Sequence, residues 1–149
     1  MIRVALDQTP VAATQPTGVV VRPPITTSAS PDYSANDVVS GIITLPGVVA
    51  EPGRPALLMS VTLKDGGGQA PAITLLFFKA TPAGGTYTDN AALVWGQADH
   101  ANLVGVVRVL AADWVTIVSK SQVALGGIDA LMVAESRDLF LLIVADATW

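Results

Sequence analysis

His100 is the one histidine in the 149 residues, and there is no cysteine. A Ser/His/Asp relay would need His100 beside a nucleophile such as Ser119 or Ser121, and neither serine sits in a GxSxG elbow. His100 therefore reads as a rim or loop residue. Zinc would have to be held mostly by carboxylates, which zinc sites seldom use. Asp89, Asp99 and Asp113 could share a calcium ion only if their loops converged, and their spacing is not that of an EF-hand. Gly66-Gly67-Gly68 lacks the Lys-Ser/Thr and the helix that complete a phosphate loop, so it reads as a turn. Glycosidase carboxylates would need a cleft lined with aromatics. Aromatic content is only 5%, and Trp95 and Trp114 read as core or interface anchors. The expectation is a protein with no catalytic residue, metal or cofactor.

Composition points the same way. The chain is long enough to bury one real core without metal or disulfide support. Hydrophobic residues make up 51% and charged residues 13%, about half the usual charged share. A surface left to Ala, Thr, Ser, Gly and apolar residues suits a subunit covered by neighbours. The formal net charge is −4, and the eight Lys and Arg are scattered singly. No basic patch is available for nucleic acid or anionic lipid. The apolar runs, such as Leu139 to Ala145, fall well short of the roughly 18 residues that cross a bilayer. The amino-terminal residues lack a long secretion-type apolar segment. A soluble, non-exported protein is expected.

The elements that would position any site are strands. Ile73, Leu75 and Phe77 point one way and Leu76 and Phe78 the other, so Ile73 to Phe78 is apolar on both faces and should be central. Leu139 to Val144 has the same character. Val38 to Leu45 reads as a strand stopped by Pro46-Gly47. Leu57, Met59, Val61 and Leu63 alternate with Leu58, Ser60, Thr62 and Lys64 as a half-buried strand. The Gly-rich turn at Asp65 to Gly68 would join it to Ile73–Phe78 as a hairpin. Asp99 is a candidate cap for a short helical turn through Asn102. Leu103 to Leu110 is the next strand, with Arg108 facing out. Asp113-Trp114 marks a corner, Val115 to Val118 continues as a strand, and Gly126-Gly127 breaks the chain. Ile128 to Val133 fits helix by propensity and strand by context. Glu135 to Asp138 is a charged turn.

Short strands with Gly and Pro at nearly every join predict an all-β fold, a β-sandwich of jelly-roll type or a related barrel. The sandwich should span 31–149. Residues 1–30 differ, because Pro10, Pro16, Pro23 and Pro24 exclude helix. This Pro/Thr-rich segment reads as an extended arm in which Gly18 to Arg22 could add as an edge strand. Val19, Val20, Val21 and Ile25 are too apolar for a solvated tail, so the arm is expected to order on a partner. Together with Trp149, a candidate anchor on a neighbour, they form the expected interface.

The order of these motifs resembles the decoration (cement) proteins and other small virion structural proteins of tailed phages. The resemblance rests on Asp37-Val38-Val39-Ser40-Gly41, then Leu76-Phe77-Phe78 with Pro82 and Thr88-Asp89-Asn90. Asp99, Gly105-Val106-Val107 and the apolar strand Leu139 to Val144 follow. It spans about residues 32 to 146 and leaves the arm unexplained. It implies a non-enzymatic subunit made in the host cytoplasm and placed on the virion's capsid surface. Such a subunit would bridge major capsid proteins and associate with itself as a dimer or trimer, with no role for nucleic acid or membrane. The alternative is a ligand- or carbohydrate-binding β-sandwich module, such as a receptor-binding or tail/neck component.

Overall fold

The computed structural model describes residues 18–23, 25–27 and 32–149. The strands are β1 (Val38–Leu45), β2 (Pro55–Asp65), β3 (Ile73–Phe78), β4 (Leu103–Val109), β5 (Val115–Ile117), β6 (Lys120–Val133) and β7 (Leu139–Ala145). One helical turn, α1 (Gln97–His100), and one 3-10 turn at Ala111–Asp113 complete the regular structure among the described residues. The strands form two antiparallel sheets, in the orders β1-β7-β3-β4 and β2-β6-β5. The fold is all-β. Three of the five pairings are nested along the chain, β1 with β7, β2 with β6 and β3 with β4; β3 also pairs with β7, and β5 with β6.

β3 and β7 occupy the middle of the four-stranded sheet, as strands apolar on both faces must. Ile73, Leu75 and Phe77 join Leu139, Leu141 and Ile143 in the core between the sheets, against Val123 and Met132 of β6. The opposite faces, Leu76, Phe78, Leu142 and Val144, form a second core. The connection between β3 and β4 covers it, laying Tyr87 and Leu93 on the sheet. Each large apolar side chain fully buried in this way contributes about 1.5–3 kcal/mol. The four-stranded sheet is thus covered on both sides, by a sheet on one and a loop on the other.

The three-stranded sheet departs from the sequence reading in three respects. β2 and β3 are not a hairpin: β2 pairs with β6, and residues 66–72 carry the chain across to the other sheet. Asp65 holds that crossing open by accepting hydrogen bonds from the N–H groups of Gly67 (2.8 Å), Gln69 (2.5 Å) and Ala70 (3.0 Å). Gly126-Gly127 does not break the chain either. β6 runs through it as a bulge, with positive φ at Gly127 (64°) and Asp129 (47°), and Ile128–Val133 is strand. Finally, the bulge shifts the pairing between Leu58 and Ser60. Leu58, Val61 and Leu63 pack on the core, whereas Leu57 and Met59 face out. A single alternation along β2 could not reveal this change of phase.

Candidate interaction surface

The arm residues lie where β1 ends, beside Thr44 and Pro46. Residues 18–23 are not a strand, so the expected edge pairing of Gly18 to Arg22 is not formed. The β1 edge is itself irregular at Ser40-Gly41, where φ is 72° and 70°. Val21 packs on the inter-sheet core, and the Thr26 N–H donates to Ser40 Oγ at 3.0 Å. Val19, Val20 and Ile25 remain exposed, Val20 at 76%. The structure thus fastens the segment at two points and leaves three apolar side chains outward. Of the expected boundary at residue 30, positions 28–31 lie outside the described residues, as do 1–17.

Trp149, the candidate anchor on a neighbour, is half-buried against its own domain. It pairs with Tyr33 through two backbone hydrogen bonds of 3.1 Å, and the two rings lie 4.8 Å apart. Its indole packs against the inter-sheet core. Tyr33 is itself buried, and its hydroxyl donates to Asp89 Oδ1 at 2.7 Å. The same carboxylate oxygen accepts the Ser40 N–H at 2.7 Å. Asp89 therefore ties the entry to the domain, the β1 bulge and the covering loop together.

Asp99 caps no helix. Gly96 is the N-cap of α1, and the Asp99 carboxylate turns back into the covering loop. It accepts hydrogen bonds from the Tyr87 hydroxyl (2.6 Å), the Gly84 N–H (2.6 Å) and the Ala83 N–H (3.1 Å). The Tyr87 hydroxyl holds the carboxyl below its ordinary value, with the two N–H groups adding to this and burial opposing it. Tyr87 is pushed above its ordinary value, first by burial and then by its bond to Asp99. Both shifts belong to a satisfied structural network. Asp113 accepts the Leu110 N–H at 2.8 Å, in the 3-10 turn before β5. Asp89, Asp99 and Asp113 thus serve three separate backbone sites and do not converge.

His100 lies in the covering loop, with its ring edge-on to Trp95 at 6.2 Å. Ser119 and Ser121 belong to the other sheet's β5–β6 hairpin, where Ser121 Oγ and Thr116 Oγ1 share a 2.7 Å hydrogen bond. No relay joins these residues. Trp114 is committed to structure, its Nε1 donating to the Pro71 carbonyl at 2.8 Å. Trp95 is 41% exposed and rests against Phe78.

The sequence reading missed a second apolar surface, on the outside of the three-stranded sheet. Leu57, Met59, Leu131 and Val133 are exposed at one end of it, and Val115 and Ile117 at the other. Leu57 pairs with Leu131 and Val115 with Gln122, so these side chains share one face. The available signal was the unbroken apolar run Leu57-Leu58-Met59, which supplies both faces of a strand.

No family model matches the chain, and neither a curated protein nor a solved structure does.

Proposed function

We propose that this protein is a structural binding subunit, not an enzyme. Its role in this reading is that of a capsid decoration (cement) subunit, which bridges major capsid proteins on a tailed-phage head and stabilises it. The nested strand pairing supports a jelly-roll-type sandwich, in which a long folded hairpin is rolled into two layers. The observation that carries the reading is the arm. Val21 and Thr26 anchor it to the domain, while Val19, Val20 and Ile25 face outward. Apolar side chains held in place before contact lose little entropy on docking and need no desolvation of charge. Many weak contacts of this kind gain avidity on a repeating lattice.

Mass spectrometry of purified virions tests the reading through the copy number relative to the major shell protein. A fixed stoichiometric ratio is expected, and absence from the particle would overturn it. Replacing Val19 and Val20 with Asp should lower particle occupancy while leaving the fold intact. The runner-up, a carbohydrate-binding module, draws on half-exposed Trp95 beside His100. It predicts that a glycan panel quenches or shifts Trp95 fluorescence, which the cement reading does not.

A further inference from the structure

We propose that the tip of the β5–β6 hairpin is a docking plug, in which Val118 enters an apolar, acid-rimmed pocket on the major capsid protein. The inference rests on the capsid reading and names the chemistry of one contact within it. Val118 and Ser119 are the two loop residues between Ile117 and Lys120, the last facing pair of the hairpin. Val118 has a φ of 61°, and Ser119 does not share the positive value. A positive φ at the first loop position alone is the type II′ arrangement, which ordinarily takes glycine there. For a β-branched residue such a φ is a genuine outlier, because the Cβ crowds its own backbone. Among the described residues nothing offsets that cost, since Val118 is 96% exposed and belongs to neither core. Glycine or asparagine would close the same turn with less strain and less apolar surface in water. Strain kept at an exposed apolar residue points to a contact outside the chain.

The tip is braced before contact. Gly68 lies so close behind it that a Cβ there would stand 2.8 Å from the Ser119 carbonyl. The Asp65 carboxylate fixes that crossing segment. The 2.7 Å bond between Thr116 Oγ1 and Ser121 Oγ ties the two strands behind the turn. A plug ordered in advance loses little entropy on docking. Its surroundings state the partner's chemistry. Ile117, 70% exposed, adds a second apolar side chain. Lys120 follows the turn, and Lys64 stands across β6 in register with Gln122. Both lysines are exposed. Unlike Lys79, Arg54 and Arg108, neither forms an ion pair among the described residues. Carboxylates around the mouth of the pocket would complement them. A bilayer fits less well. Ile117 and Val118 carry less hydrocarbon than one myristoyl chain, which by itself binds membranes only marginally. A protein pocket encloses the side chain on all sides, as interface anchors require.

Binding of the full chain to purified heads freed of this subunit tests the plug, with a urea midpoint measured for each variant. Val118→Gly and Val118→Asn should both raise the midpoint, because glycine and asparagine tolerate positive φ. Both should weaken binding about 10-fold or more. Asparagine keeps the turn stiffer than glycine, so a loss in both assigns the effect to the missing valine side chain. Lys120→Glu should weaken binding as well. Folded Val118→Gly and Val118→Asn chains that bind heads as tightly as wild type would overturn the plug and leave the capsid reading standing. Lower midpoints in both would overturn the strain on which the plug rests. A wild type that ignores the heads would remove plug and capsid reading together. Co-sedimentation with phosphatidylserine–phosphatidylcholine vesicles should leave the wild type in solution. Vesicle binding that Val118→Asn abolishes would overturn the protein pocket in favour of a lipid surface.

Discussion

The Tyr87 hydroxyl donates a 2.6 Å hydrogen bond to Asp99 Oδ2, twelve residues along the same loop. That bond closes the covering loop over the outer core. Its two ends titrate in opposite directions. Asp99 is held below its ordinary value of 3.8, so its contribution to stability is present above that pH and is lost as pH falls through the folded value. Tyr87 lies above its ordinary 10.0, so its contribution is complete below pH 10.0 and is lost as pH rises through the folded value. Urea midpoints measured against pH should therefore fall at both extremes. Tyr87→Phe should lower the midpoint at neutral pH and flatten both limbs. An unchanged profile in Tyr87→Phe would show that the bond contributes nothing to folding.

Gly85 is the tightest point of that loop. A Cβ there would collide with the Val94 carbonyl oxygen and with the Tyr87 ring. Gly85→Ala should cost about 1–3 kcal/mol through forced backbone displacement. Gly66→Ala, where a Cβ meets open space, is the control and should stay within about 0.5 kcal/mol. Chemical denaturation of the pair checks the contrast.

The outer core should be as demanding as the inner one. Leu142 and Phe78 are wholly buried beneath the loop. Leu142→Ala should destabilise by about 2–5 kcal/mol and Phe78→Ala by about 3–5 kcal/mol. Losses below about 1 kcal/mol in calorimetry would mean that the loop is not a packed layer.

Trp149 and Tyr33 form a clasp, with 4.8 Å between ring centroids. Trp149→Ala keeps the two backbone bonds but removes the indole from the core, and should cost about 2–3 kcal/mol. It should leave particle binding unchanged, since the indole packs on the domain's own core. Loss of binding by a stably folded Trp149→Ala chain would return this residue to the interface.

Much of the sandwich was legible from pattern alone. Val38–Leu45 matches β1 in its bounds, and the two-faced apolar runs Ile73 to Phe78 and Leu139 to Val144 are the central strands β3 and, with Ala145 added, β7. Strand periodicity and the need to bury both faces are local properties, written in consecutive residues. The all-β class follows from them.

Partnership was a different matter. A glycine-rich connection is compatible with a hairpin or with a crossing between sheets, and the choice at residues 66–72 depends on which distant strand buries β2. Gly126-Gly127 could end a strand or bulge within it, and only pairing with β2 decides between them. Asp99 could have capped a turn locally. It became a clamp because folding brought the Ala83 and Gly84 N–H groups and the Tyr87 hydroxyl to its carboxylate. Sequence by itself determined which segments are extended and which are too apolar for water. Only the tertiary structure decided which apolar faces are covered, because burial depends on contacts between residues remote along the chain.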